Sequence, residues 1–274
     1  MEDMFIVLFS WVIGLGIVAT PQPVFTGQQS DLLIYKGDTV QLLATPLETY
    51  HTNGTRPRYF GVDTTWMSTA CWRGYVAVWR MWEDDLYLSA IRSCGYPRDT
   101  SKADLRVVFG DKVTDKGVPA AWFTDKVLVP QGPLLYYMHD GFQSSYAKEL
   151  ELEFRQGRLV GSTLYDNSKS KKSVFSSFGP DWYRYIYGSI RWDSLPSLSG
   201  GEVRVFVTFT ANEEGQIDEA EIVKGHSEAF DQEALRVIRA TPEWDVYFKY
   251  GKLRRIRWNA HIVFSEANRR RYSN

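Results

Sequence analysis

The side chains with which this chain could hold a metal or run nucleophilic chemistry are few: His51, His139, His226 and His261, and the two cysteines Cys71 and Cys94. No two of them stand at the spacing of a helical His pair or a Cys-x-x-Cys hook, so local sequence assembles no metal set. A G-x-S-x-G elbow, a P-loop and a G-x-G-x-x-G turn after a strand are missing, which removes the local geometry of serine nucleophiles and phosphate cradles. Carboxylates are plentiful, but sequence does not bring two of them across a cleft. No catalytic residue, cofactor ligand or metal ligand is therefore assigned, and the chain reads as a non-enzyme. An enzymatic N-terminal region would need a pocket of converging polar groups. Its aromatics Trp72, Trp79, Trp82, Tyr136 and Tyr137 either stack on a glycan or peptide or fill a core.

The cysteines have another use. Gly74 to Met81 and Leu86 to Ile91 are strand-like runs around a Glu83-Asp84 turn. That register sets Cys71 opposite Tyr96 and Cys94 opposite Arg73, so the cysteines are diagonal neighbours on one face, one bulge away from direct opposition. A Cys71–Cys94 disulfide and two buried free thiols both satisfy this placement.

Positioning such residues falls to a strand-rich framework. Aromatics make up 15% of the chain and hydrophobics 44%, enough for a core, and flat rings suit a pleated surface. The 274 residues suggest two modest domains. From Asp31 to about Phe175 the text is mostly short strands, with hairpins at Leu33–Tyr35/Val40–Leu43 and Lys148–Phe154/Leu159–Tyr165. In the second, Leu150, Leu152 and Phe154 face a core while Glu149, Glu151 and Glu153 face water. Ser101 followed by Asp104 opens one short helix through Phe109, and Val118 to His139 reads as strands broken by Pro130 and Pro133. Asp166 to Ser177, rich in Ser and Lys, reads as a linker.

Two further features bear on partners and location. Lysine plus arginine (32) against aspartate plus glutamate (33) leaves a net charge of -1, which lacks the basic footprint of a nucleic-acid binder. Met4 to Thr20 is uncharged and apolar, and ends just before Pro21 and Pro23. It is shorter than the about 20 residues of a full membrane span. It reads as a cleaved secretory segment with the mature chain starting near Thr20, as a retained membrane anchor, or as a core helix. Glu2 and Asp3 stand where the positive charge of a leader belongs.

Past Ser177 the texture changes. Trp182, Ile186 and Ile190 recur at helical steps. Val203, Val205, Val207 and Phe209 alternate, Asn212 to Gly215 turns, and Ile217 to Lys224 returns. Asp231 begins a helix carrying Ala234, Leu235, Val237 and Ile238, stopped by Pro242. A last strand runs Leu253 to Phe264, with Ile256, Trp258, Ala260, Ile262 and Phe264 on one face. The region is charge-polarised: Glu202 to Glu233 is acidic except for Arg204 and Lys224, and Arg236 to Arg257 is basic except for Glu243 and Asp245.

This ordered set resembles the periplasmic C-terminal domain of TonB-type energy transducers. Gly201, Val203, Val205, Val207 and Phe209 match its first strand and Asn212 to Gly215 its acidic turn. Phe230 to Ile238 match its helix, Pro242-Glu243-Trp244 its Pro-x-Trp, and Gly251-Lys252 the Gly-Lys before its final strand. The resemblance spans Phe178 to Glu266. Joined to the residue readings, it gives an α+β organisation: 1–20 as signal peptide or membrane anchor, 28–175 as a β-rich domain of unassigned role, 178–266 as a small TonB-like domain (helix, hairpin, helix, edge strand), and 267–274 as a frayed basic tail. The resemblance further implies a periplasmic protein of the cell envelope that binds a TonB-dependent outer-membrane transporter by strand addition. Such a protein would support transmembrane transport of nutrients, driven by an inner-membrane motor complex. The partner-binding residues implied are those of the edge strand: Arg254, Arg255, Arg257, Asn259 and His261. The family's long Pro-rich spacer, its membrane-helix histidine and the Lys-Pro-Gly after its tryptophan have no counterpart here; Asp245-Val246-Tyr247 follows Trp244. A soluble periplasmic peptide- or protein-binding module without energy transduction is the alternative.

Overall fold

Alternation of apolar and polar residues becomes strand in both halves of the computed structural model, which describes residues 27–51, 57–60, 68–139, 141–176, 178–198 and 200–272. The apolar run Met4 to Thr20 lies outside the described residues. Among the described residues no helix is long and apolar enough to cross a membrane.

The N-terminal part contains β1 (Asp31–Tyr35), β2 (Asp38–Leu42), β3 (Tyr75–Trp82), β4 (Asp85–Ser93), α1 (Leu105–Phe109), β5 (Val118–Pro119), β6 (Asp125–Tyr136), β7 (Ser145–Arg155) and β8 (Arg158–Asp166). The strands form one curled sheet in the order β2-β1-β3-β4-β8-β7-β6, with β5 on β4. Its ends approach each other where Leu43 N–H donates to Leu128 O at 2.8 Å. Leu33, Leu42, Trp79, Leu88, Ile91, Leu152 and Phe154 fill the inside. Hairpin β7–β8 turns at Gln156 and Gly157, both with positive φ, as a two-residue turn requires. Any side chain at Gly157 would sit 2.6 Å from Ala120 O, so only glycine fits. Asp104 caps α1 by accepting from Arg106 N–H at 2.8 Å.

Several expectations change here. Pro130 and Pro133 do not break the chain into separate strands. Both lie within the single strand β6, where the register slips between Gln131 and Leu134. Proline is tolerated there because β6 has a full ladder on one side only: Leu128 turns its C=O away from β7 to Leu43, Pro130 two residues on turns its N the same way, and Pro133 falls in the slip. The β3–β4 hairpin pairs as expected from Trp82–Asp85 to Trp79–Leu88, then slips to Val78–Ala90 and ends at Tyr75–Ser93. Cys71 is therefore not laddered opposite Tyr96. A turn in which Gly74 N–H donates to Cys71 O folds Cys71 back, and it is disulfide-bonded to Cys94 with the Cα atoms 6.1 Å apart. Glu149 and Glu151 do not face water: they are buried, at 0% and 9% exposure.

The C-terminal part contains α2 (Pro180–Ser189), β9 (Glu202–Ala211), β10 (Ile217–Lys224), α3 (Glu228–Arg239), β11 (Phe248–Lys249), β12 (Lys252–Leu253), β13 (Trp258–Ser265) and α4 (Glu266–Tyr272). A three-stranded antiparallel sheet, β10-β9-β13, carries α3 on its apolar face. Trp244 is fully buried there, its ring within 4.8 to 5.6 Å of Phe178, Trp182, Phe209 and Trp258. Trp244 N–H donates to Gly215 O at 2.7 Å, and a Cβ on Gly215 would lie 2.9 Å from Trp244 O, so the acidic turn needs its glycine. The segment expected as a frayed basic tail is helical through Tyr272, whose ring stacks on Tyr187 at 5.3 Å. The last strand is shorter than expected: Leu253 belongs to the β11–β12 hairpin, and residues 254–257 are irregular.

The stretch expected as a linker is instead sewn into the other half. Lys171 and Val246 exchange both backbone hydrogen bonds at 2.9 Å. Asn167 is fully buried; its Nδ2 donates to Tyr146 O and its Oδ1 accepts from Gly251 N–H at 2.8 Å. Ser145 Oγ donates to Phe248 O at 2.7 Å, and Tyr247 Oη donates to Gln143 O at 2.8 Å. At the centre, Lys249 Nζ meets Glu149 Oε1 at 2.7 Å, with side chains 3% and 0% exposed. This pair is why Glu149 is dry; Glu151 is paired with Lys126 of β6 at 2.7 Å.

Candidate functional site

β13 is an edge strand, and its inner side is fully committed. It pairs with β9 from Trp258–Phe209 to Ser265–Glu202 without a slip. Trp258, Ala260, Ile262 and Phe264 turn their side chains toward α3 and the buried tryptophan cluster, which fixes the register because a one-residue slip would expose all four.

The outer side is half open. Val263 N–H donates to Tyr187 Oη at 3.2 Å, and Asn268 Nδ2 donates to Val263 O at 2.8 Å. Both backbone groups of Val263 thus point away from β9 and are capped, one by α2 and one by α4. In an antiparallel ladder outward-pointing residues alternate. Asn259 and His261 therefore also point their N–H and C=O groups away from β9, and no described residue takes them. The open edge is two residues long, bounded by irregular backbone before Trp258 and by the capped Val263.

The five residues expected to bind a partner divide accordingly. Asn259 and His261 lie on the open edge, their side chains exposed on the outer face, with the His261 ring 5.9 Å from Phe206. Arg255 crosses the outer face to Asp218 at 2.7 Å, Glu219 at 3.4 Å and Thr210 Oγ1 at 2.6 Å. It is paired with the acidic β10, so part of the charge polarity cancels within the fold. Arg257 lies with Thr208, Thr210, Glu219 and Glu221 on the same face. Arg254 precedes the strand; its N–H donates to Tyr247 O at 2.7 Å and its guanidinium lies 5.9 Å from the Tyr250 ring. Tyr187 and Asn268, which set the length of the open edge, were not found from sequence. Tyr187 sits beside the Trp182–Ile186 stripe, and its role depends on a strand that follows it by many residues.

At the join, Asp245 is 6% exposed and accepts from Ser173 N–H at 2.6 Å. Burial holds its carboxyl above the ordinary carboxylate range, against the opposing pull of that backbone N–H. The neighbouring Tyr136 hydroxyl is pushed up, first by its own burial and then by the Asp245 charge. Of the aromatics weighed for ligand stacking, Trp79 is core, Tyr136 packs on Tyr247 at 5.0 Å, and Trp72 and Trp82 are exposed. Among the described residues no group of three or more His, Cys, Asp or Glu side chains is placed to hold a metal ion.

No curated protein and no solved structure matches the chain. A family model matches residues 198–265, which run from just before β9 to the end of β13 and leave out α2 and α4. The family so matched over these 68 residues is the Gram-negative bacterial TonB protein C-terminal.

Proposed function

We propose that this is a periplasmic protein of two domains, residues 28–175 and 178–266, in which the second receives an extended segment of a TonB-dependent outer-membrane transporter on the open edge of β13 and so supports transmembrane transport of nutrients. The observation that carries this reading is the coincidence of the family match with a strand edge whose Asn259 and His261 backbone groups meet no described partner. Strand addition uses such groups as its main source of register and affinity. Two outward residues offer four hydrogen bonds, each of about 0.5–1.5 kcal/mol net. That amounts to roughly 2–6 kcal/mol, short of the ~8 kcal/mol of a micromolar complex, so side-chain contacts must complete the interaction.

The test is site-specific photo-crosslinking in living cells at positions 259 and 261 of the full-length chain, with Glu221 on the opposite edge strand as control. A TonB-dependent transporter captured at 259 and 261 and not at 221 supports the reading; its absence from all three refutes it. Coupling to an inner-membrane motor is the finer claim, and it requires Met4 to Thr20 as a retained anchor. The alternative, a soluble periplasmic binding module without energy transduction, is favoured by the buried join around Lys249–Glu149, which sets the binding domain directly on a folded neighbour rather than on an extended spacer. Replacing Met4 to Thr20 with a cleavable leader separates the two: lost uptake indicates the motor, unchanged uptake the module.

A further inference from the structure

We infer that the groove between α2 and α4 is a second contact surface, built for acidic residues that flank the strand-forming segment of the partner. This rests on strand addition at β13 and adds to it the chemistry that sets the partner's preference. The groove, about 700 Å³, is lined by Pro180, Tyr183, Arg184, Gly188, Arg271 and Tyr272. Tyr183 and Tyr272 of its wall sandwich the buried Tyr187 in a column, with centroids 6.0 and 5.3 Å apart and planes 8° and 29° apart. Tyr187, the central ring, is also the residue that accepts the Val263 N–H. The groove therefore lies behind the ring that ends the open edge of β13. A peptide paired with Asn259 and His261 and running toward Val263 finds its next ladder position capped after two residues, roughly 7 Å on. It must leave the sheet there, beside the tyrosine column.

The charge of the groove decides what it receives. Arg271 lies over the Tyr272 ring at 5.3 Å and has no carboxylate partner among the described residues. Arg184 pairs with Asp181 at 3.0 Å, but the two side chains are 75% and 63% exposed, so this pair is weak and exchangeable. Of the other acids of this end, Asp193 and Glu266 are already taken by Arg269, and Glu202 by Arg204. Two guanidinium groups on a tyrosine-lined wall match carboxylates, which arginine binds in a planar two-point contact. Gly188 leaves the floor open, since a Cβ there would meet nothing within 4 Å.

The test uses the full chain and two fluorescent peptides by anisotropy. Both carry the same strand-forming segment of a TonB-dependent transporter; one has four glutamates at each end, the other four glutamines. The glutamate peptide is expected to bind at least tenfold more tightly at low ionic strength, with the ratio falling toward one in high salt. Arg184→Ala with Arg271→Ala, and separately Gly188→Glu, should abolish the ratio while leaving the glutamine peptide unchanged. Gly188→Glu introduces no clash, so its loss of discrimination is not a folding defect. Equal binding of both peptides to the unaltered chain overturns this inference and leaves strand addition standing; binding of neither overturns both. Arginine-dependent binding to phosphatidylglycerol vesicles without peptide discrimination would assign the groove to a membrane surface and overturn it too.

Discussion

Removing the lysine of the buried join is the perturbation that most directly tests how the two halves are held. Lys249 Nζ lies 2.7 Å from Glu149 Oε1 and also donates to Ser144 O at 2.7 Å, while Glu149 Oε1 accepts from Tyr146 N–H at 3.2 Å. Neither side chain is more than 3% exposed. Lys249→Met keeps the length of the side chain and deletes its charge, which leaves Glu149 buried without its counter-ion. Breaking a buried pair in this way costs about 3–5 kcal/mol, whereas replacing both partners by apolar groups is often neutral. Urea unfolding followed by tryptophan fluorescence should therefore show Lys249→Met destabilised by about that amount, and Lys249→Met with Glu149→Leu restored to within about 1 kcal/mol of the parent. The coupling between the two changes is the signature of a direct contact. A loss below about 1 kcal/mol in the single variant, or a double variant no better than the single, would refute the idea that this pair secures the join.

Three further outcomes are expected. Because burial raises the Asp245 carboxyl above its usual range, the native state holds that proton to a higher pH than the unfolded chain does. Stability from this group is full below the ordinary carboxylate pKa of 3.8 and declines as pH rises through the raised value, so Asp245→Asn should flatten the fall in stability above pH 4; an unchanged slope would count against it. The Cys71–Cys94 disulfide closes a 23-residue separation and should contribute about 3 kcal/mol on a chain-entropy model; the paired serine variant, compared by denaturant midpoint and slope, measures it. Hydrogen exchange resolved by residue should find the Val263 amide protected and those of Asn259 and His261 fast, and Tyr187→Phe should speed Val263 alone; uniform exchange along β13 would refute the half-open edge.

Local patterns were legible and long-range partners were not. Alternation located β7, β8, β9 and β10, and the spacing of Trp182, Ile186 and Ile190 located α2, because each signal lives within a dozen residues. The same alternation misassigned Glu149 and Glu151 to water. Period two says that residues share a face, not what later covers it: Glu149 meets Lys249, a hundred positions on, and Glu151 meets Lys126 on the neighbouring strand. Asp166 to Ser177 looked like a linker for the same reason: a Ser- and Lys-rich segment without apolar periodicity is disguised when its hydrogen bonds go to another part of the chain, as those of Asn167, Lys171 and Ser173 do. At the site, the edge strand was readable from its alternation. The commitment of Arg255 to Asp218 was not, because charge counting sees an excess of arginine and not the acids that the fold places against it.

The open edge and the join together constrain what happens under load. β13 is held to β9 by eight residue pairs, while a strand added on its other side can pair with only Asn259 and His261 before it meets Tyr187 and Asn268. Tension along an added peptide therefore acts on a ladder much shorter than the one that anchors β13 itself. Under the proposed strand addition, the peptide's ladder would give way first and the sheet would survive to bind again. Behind β13, residues 243–257 run through Trp244, Asp245 and Lys249, all buried, so a pull on the edge passes into the β-rich half through packed side chains and the Lys249–Glu149 pair, with no extended spacer to take up the motion. On the proposed reading, releasing the partner at the short ladder and keeping the join intact would follow from the same arrangement: few hydrogen bonds where contact must be reversible, and buried charge and aromatic packing where it must not.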